Sequence, residues 1–190
     1  MKLLIITQVV DTQHPILGFF HRWVSEFASQ CEHVHLICLQ EGVHTLPDNV
    51  TVHSLGKESG KGRFGYIVSF YSLIWQLRHE YDNVFVHMNQ IYVLMGAPVW
   101  RLWGKQIGLW YAHGTVSSTL HAAVRLADYV FTSTKEGLQI DTPKRVIVGQ
   151  GIDTSLFCPL EKQSPNSVLQ VITVGRIAAS KNIDTLLRAC

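Results

Sequence analysis

Several signals are scarce or missing in this 190-residue chain, and each absence closes off a class of protein. The four cysteines, Cys31, Cys38, Cys158 and Cys190, include no C-x-x-C pair, so neither a zinc site nor a thioredoxin-like motif is signalled. Cys31 and Cys38 fall inside apolar stretches and read as small buried hydrophobes in a reducing compartment. Charge of one sign is scarce too: 16 basic against 14 acidic residues leave +2, too little for a general nucleic-acid binder. No window reaches about 18 consecutive apolar residues, so no transmembrane helix is indicated. The opening MKLLIITQVV is followed by polar Asp11, Gln13 and His14 where a signal peptide would need a longer apolar core and a small-residue cleavage site. A cytoplasmic location is expected. The dinucleotide fingerprint G-x-G-x-x-G, the P-loop and the G-x-S-x-G nucleophile elbow are all missing. Gly149-Gln150-Gly151 is no substitute, because it opens a linker and not a helix.

What remains is the composition of a folded protein, 47% hydrophobic and 16% charged, which excludes disorder for most of the chain. Apolar runs recur at Leu3–Val10, Val34–Leu39, Val50–Leu55, Val84–Met88, Ile107–Ala112, Tyr129–Thr132, Arg145–Val148 and Leu169–Val174. Most are nearly continuous, as parallel strands covered on both faces require. Helical periodicity fills the gaps: Phe19–Cys31, the more hydrophobic Phe64–Tyr81, Tyr92–Trp103 with Pro98 expected to end or kink it, and a stripe of Leu120, Ala123, Val124 and Ala127. Ser117 or Ser118 supplies the N-cap of that last helix. The Trp100 and Trp103 stripe reads as core. Strand and helix alternate, so the expected architecture is α/β, a doubly wound, mostly parallel Rossmann-like sheet. From Gly149 to Ser167 the texture becomes that of a linker, and a second α/β unit begins beyond it. The expected division is residues 1–150 as the first domain, 151–167 as linker and 168–190 as the start of a second, truncated lobe.

Ligands of open α/β sheets bind beyond the carboxyl ends of the strands. After the first strand come Asp11, His14 and Gly18, leading into a helix whose N-terminus suits phosphate. Gly18 either lets a phosphate approach closely or simply makes the turn. After the fifth strand His113-Gly114 can present an imidazole to a cleft for hydrogen bonding or proton transfer. After the eighth, Arg176 and Lys181 offer a planar fork and a point charge near a helix start, a receptor suited to diphosphate. His87 and Asn89 end the fourth strand and could touch a substrate. His33 and His35 share one strand face but show no third ligand, so no metal site is expected.

The segments VGQGIDTSLFCP and VITVGRIAASKNIDTLLRA resemble the domain junction of family-4 retaining glycosyltransferases. Gly151, Ile152, Asp153, Phe157 and Pro159 fit its first pattern, and Gly175, Arg176, Lys181, Asp184, Leu186 and Ala189 its second. The resemblance implies a GT-B fold, with two Rossmann-like lobes, the N-terminal one mainly for the acceptor and the C-terminal one for a nucleotide-sugar donor. It implies that Gly18, Arg176 and Lys181 bind the donor diphosphate and that His113 is catalytic, near the transferred sugar. It leaves Asp11, His14 and Asn89 as acceptor-side candidates, and implies no cofactor and no metal. The implied reaction transfers a sugar with retention to a glycan or lipid-linked acceptor, as in polysaccharide biosynthesis, and the fragment alone is expected to be inactive. Two departures stand out: Leu17-Gly18 supplies one glycine where tandem glycines are common, and Asn182 follows the lysine where glycine is common. A GT-B-type sugar-nucleotide epimerase and a non-catalytic α/β binding domain are the alternatives. Lys57, Lys61 and Arg63 precede the apolar second helix and suit peripheral contact with a membrane.

Overall fold

Lys2–Val10 (β1) alternates its apolar side chains between two faces, Leu3 and Ile5 toward one core and Leu4 and Ile6 toward the other. Both sets are buried, so this strand sits at the centre of a sheet covered on both sides. The computed structural model describes residues 1–155, 157–159, 171–175 and 182–189. They fall into two units, Met1–Gly151 and Ile152–Cys190.

In the first unit β1 is followed by α1 (Phe20–Gln30), β2 (His33–Glu41), β3 (Val50–Ser54), α2 (Arg63–Gln76) and β4 (Asn83–His87). Then come α3 (Gln90–Leu102), β5 (Gln106–Trp110), α4 (Ser118–Leu126), β6 (Tyr129–Thr132) and β7 (Arg145–Ile147). The seven strands form one parallel sheet in the order β3-β2-β1-β4-β5-β6-β7. The register pairs Leu4 with His35 on one side and with Val84 on the other. The strand order reverses between β1 and β4, which opens a crevice at their carboxyl ends.

Helices α2, α3 and α4 bury Phe70, Ile74, Trp100, Leu120 and Val124 against one face of the sheet. Helix α1 buries Phe20, Val24 and Ala28 against Leu3, Ile5, Leu36 and Cys38 on the other. Cys31 and Cys38 are buried free thiols, and burial pushes the Cys38 thiol up to about 12. Trp100 is fully buried, as a core residue should be. Its indole N–H donates to the Tyr81 hydroxyl at 3.1 Å, and its ring lies so close to Gly96 that a Cβ there would meet it at 2.2 Å. Ser117 is the cap of α4, its Oγ accepting the Leu120 N–H at 3.2 Å.

Three expectations are corrected. Helix α2 ends at Gln76 and not at Tyr81; Leu77 to Glu80 turn, which frees Tyr81 to anchor the core. Helix α3, expected over this stretch, is not ended by Pro98 but runs through it to Leu102, because the burial of Val93, Ala97 and Trp100 on either side of the proline outweighs one lost backbone bond. Of the expected eighth strand, Leu169 and Gln170 lie outside the described residues, and Val171–Val174, which are described, are not in a strand. The second unit contains α5 (Ile183–Ala189), none of whose residues is buried.

Candidate functional site

The loops after β1, β4, β5 and β6 meet at the carboxyl edge of the sheet. The β1 loop is folded on itself. Asp11 Oδ1 accepts the Gln13 N–H at 2.8 Å, and His14 Nδ1 accepts those of Ile16 and Leu17 at 3.3 and 3.0 Å. Gly18 N–H donates to the His14 carbonyl at 3.0 Å and Thr12 N–H to Val43 at 2.8 Å. His14 N–H reaches the Asp11 carbonyl, so every amide hydrogen from Thr12 to Gly18 is already bonded within the protein. A Cβ on Gly18 would lie 2.9 Å from the carbonyl oxygens of both Thr12 and His14, so this position takes glycine for the sake of the turn itself. Asp11 in turn rests on Gly42, where a Cβ would come within 2.4 Å of Asp11 Oδ2.

At the end of β4, His87 is 2% exposed. Its ring stacks on Phe20 with centroids 4.0 Å apart, and Phe19 and Trp23 approach it edge-on. Nδ1 of His87 lies 3.2 Å from the Thr7 hydroxyl. Burial pulls the imidazole down to about 4, so it is neutral at physiological pH. It forms the floor beneath the crevice. Met88 follows with φ of 61°, an uncommon backbone conformation for a non-glycine residue that marks this strand end as specialised. Its N–H donates to the Trp110 carbonyl at 2.8 Å, and its sulfur accepts from Ala112 N–H at 3.5 Å, tying the β4 loop to the β5 loop. Asn89 caps α3, its Oδ1 accepting the Ile91 N–H at 3.3 Å.

His113 is exposed at the end of the β5 segment. Its backbone N–H donates to the Gly137 carbonyl at 2.9 Å, which fastens the β5 loop to the loop after β6. Its Nδ1 accepts the Thr115 N–H at 3.1 Å. A neutral imidazole that accepts at Nδ1 carries its proton at Nε2. The arrangement therefore leaves an N–H donor at the exposed edge of the ring.

The structure thus brings the Asp11–Gly18 loop, Asn89 and His113 to one edge of one sheet. Arg176 and Lys181 lie outside the described residues; their neighbours Gly175 and Asn182 are exposed. The charge pattern could not have disclosed three further features: the strained Met88, the buried His87 and an aromatic recess. That recess, of about 360 Å³, is lined by Trp23, Phe27, Phe85, Trp110 and Phe131 together with residues 148–151. The rings come from four different elements, so only the fold assembles them. On the far edge, His33 and His35 are joined by His53, whose Nε2 lies 3.2 Å from His35 Nδ1. Burial lowers His35 to about 4.

A parallel, doubly wound sheet with its crevice at the β1/β4 switch point makes this unit a Rossmann-like lobe of the kind paired in GT-B folds. The solved structures it resembles say the same. HepE from Anabaena, in complex with UDP and glucose, superposes with a TM-score of 0.58 at 16% identity over 83% of this chain. The lipopolysaccharide outer core galactosyltransferase WaaB gives 0.52 at 13% identity over 80%. The UDP-GlcNAc 2-epimerase of Methanocaldococcus jannaschii gives 0.52 at 18% identity over 78%. The chain spans a little under half the length of these neighbours: 46% of HepE and WaaB and 45% of the epimerase. No family model matches the chain, and no curated protein matches it.

Proposed function

We propose that the chain is the acceptor-side lobe, with the beginning of the donor-side unit, of a retaining glycosyltransferase acting on a nucleotide sugar. The observation that carries this reading is the placement of the Asp11–Gly18, Asn89 and His113 loops at the carboxyl edge of a sheet like that of HepE. In this reading Arg176 and Lys181 hold the donor diphosphate. No metal takes part, so those cations stabilise the departing charge. His113 donates from Nε2 to a hydroxyl of the transferred sugar, its ring fixed by Thr115 N–H. Asp11, His14 and Asn89 face the glycan or lipid-linked acceptor. Gly18 reaches the diphosphate only when the β1 loop rearranges, since its amide is bonded to His14 in the resting form.

The test is an assay of the protein carrying both lobes, with a nucleotide sugar and glycan acceptors, followed by NMR of the product's anomeric configuration. A retained configuration supports the reading, and an inverted one overturns the family-4 assignment. A second reading, sugar-nucleotide epimerisation, is favoured by the likeness to the UDP-GlcNAc 2-epimerase. It is preferred if the nucleotide sugar is isomerised with no acceptor modified.

A further inference from the structure

Helices α2 and α3 lie side by side and leave between them a groove of about 730 Å³, bordered by Ile67, Val68, Tyr71, Trp75, Val99 and Trp103. An ordinary surface helix is polar on the side away from the core. Helix α2 is apolar on both sides: Phe70 and Ile74 are buried, while the other stripe is open, with Phe64 79% and Trp75 59% exposed. At the end of α3, Leu102 is 83% exposed. An apolar patch of this kind on a water-facing surface marks a binding face.

Its charges say what it binds. Neither α2 nor α3 carries a carboxylate. Lys57, Lys61 and Arg63 stand at the start of α2, and beyond its end the Arg78 guanidinium lies 4.8 Å over the Trp75 ring. The carboxylate in the first basic stretch, Glu58, is turned onto the Ser54 hydroxyl at 2.6 Å and the Glu41 N–H at 3.3 Å. Glu80 follows two residues after Arg78.

We propose that this face docks on an anionic lipid bilayer. The aliphatic side chains enter the acyl boundary, Tyr71, Trp75 and Trp103 lie at headgroup depth, and the cations at the start of α2 meet lipid phosphates. A second copy of the chain fits poorly. Pairing two α2 helices antiparallel sets Lys61 and Arg63 of one against Arg78 of the other, and pairing them parallel sets those cations against themselves. Like charges face each other in either case. This inference concerns binding alone and stands or falls separately from sugar transfer.

The test is co-sedimentation of the 190-residue chain with phosphatidylcholine vesicles, with and without roughly one-third phosphatidylglycerol, at physiological salt. Binding is expected only to the anionic vesicles. The exposed pair Lys61→Gln/Arg63→Gln should weaken it roughly thirtyfold, at about fivefold per cation. Trp75→Ser/Leu102→Ser should abolish it, with circular dichroism confirming the fold of each variant. If that second variant fails to fold, the charge variant still decides. Equal binding to both vesicle types, no binding to either, unchanged binding by Lys61→Gln/Arg63→Gln, or self-association that Trp75→Ser/Leu102→Ser disrupts would overturn the proposal.

Discussion

The imidazole of His14 holds the backbone of Leu17, its Nδ1 accepting the Leu17 N–H at 3.0 Å while the His14 carbonyl takes the Gly18 N–H. One residue thereby closes the loop on itself. Replacing His14 by Ala removes the side-chain acceptor. Hydrogen exchange at Ile16 and Leu17 should accelerate by roughly fivefold, since a hydrogen bond contributes about 1 kcal/mol net. Unchanged exchange would mean the imidazole holds nothing.

Gly18→Ala should be the harsher change in the same loop. Its Cβ would meet two backbone carbonyls at 2.9 Å, and backbone yields less readily than a side chain. A loss of about 1–3 kcal/mol in urea unfolding is expected. A neutral result would show that the turn has room.

Gly96→Ala probes the opposite side of the sheet. The new methyl would occupy the place of the Trp100 indole, breaking its bond to Tyr81. Destabilisation of about 3 kcal/mol or more is expected, measured as a lowered urea midpoint.

His87 sets an acid limit on stability. Its imidazole, held down to about 4 by burial, binds a proton less readily folded than unfolded, where the value is about 6.5. The unfolded state therefore takes up more protons across that window. The stabilisation is present above about pH 6.5 and is lost as pH falls toward 4, by roughly 3 kcal/mol. His35, similarly depressed, adds to the slope. Denaturant midpoints measured from pH 7 to pH 4 should fall less steeply for His87→Gln than for the parent chain.

His113→Ala tests the proposed catalytic role. The side chain is exposed and its main structural tie is a backbone bond to Gly137, so the fold should persist. In the protein with both lobes kcat should drop by about a hundredfold, the scale of a lost transition-state hydrogen bond. Normal turnover would remove His113 from the mechanism.

The sheet was legible because continuous apolar runs such as Leu3–Val10 and Val34–Leu39 have no other use than burial on both faces. The ends of elements were less so. Whether α2 stopped at Gln76 depended on Tyr81 finding the core, and whether α3 survived Pro98 depended on what Val93 and Trp100 packed against; both are tertiary facts. At the site, position after a strand located Asp11, His14, Gly18, Asn89 and His113 at one edge. Position gave no hint that His14 latches the loop or that His87 is sealed beneath Phe20, since those roles depend on partners distant in sequence or on loop geometry. The aromatic recess was invisible for the same reason. Arg176 and Lys181 rest on their motif alone.

The most direct measurement of the central claim is release of nucleoside diphosphate from a nucleotide sugar by the protein carrying both lobes, compared with Arg176→Ala/Lys181→Ala. Acceptor-dependent release that falls by roughly a thousandfold in the double variant is the predicted result. Release at the parental rate by that variant, or no turnover of any nucleotide sugar by the parent, would contradict it.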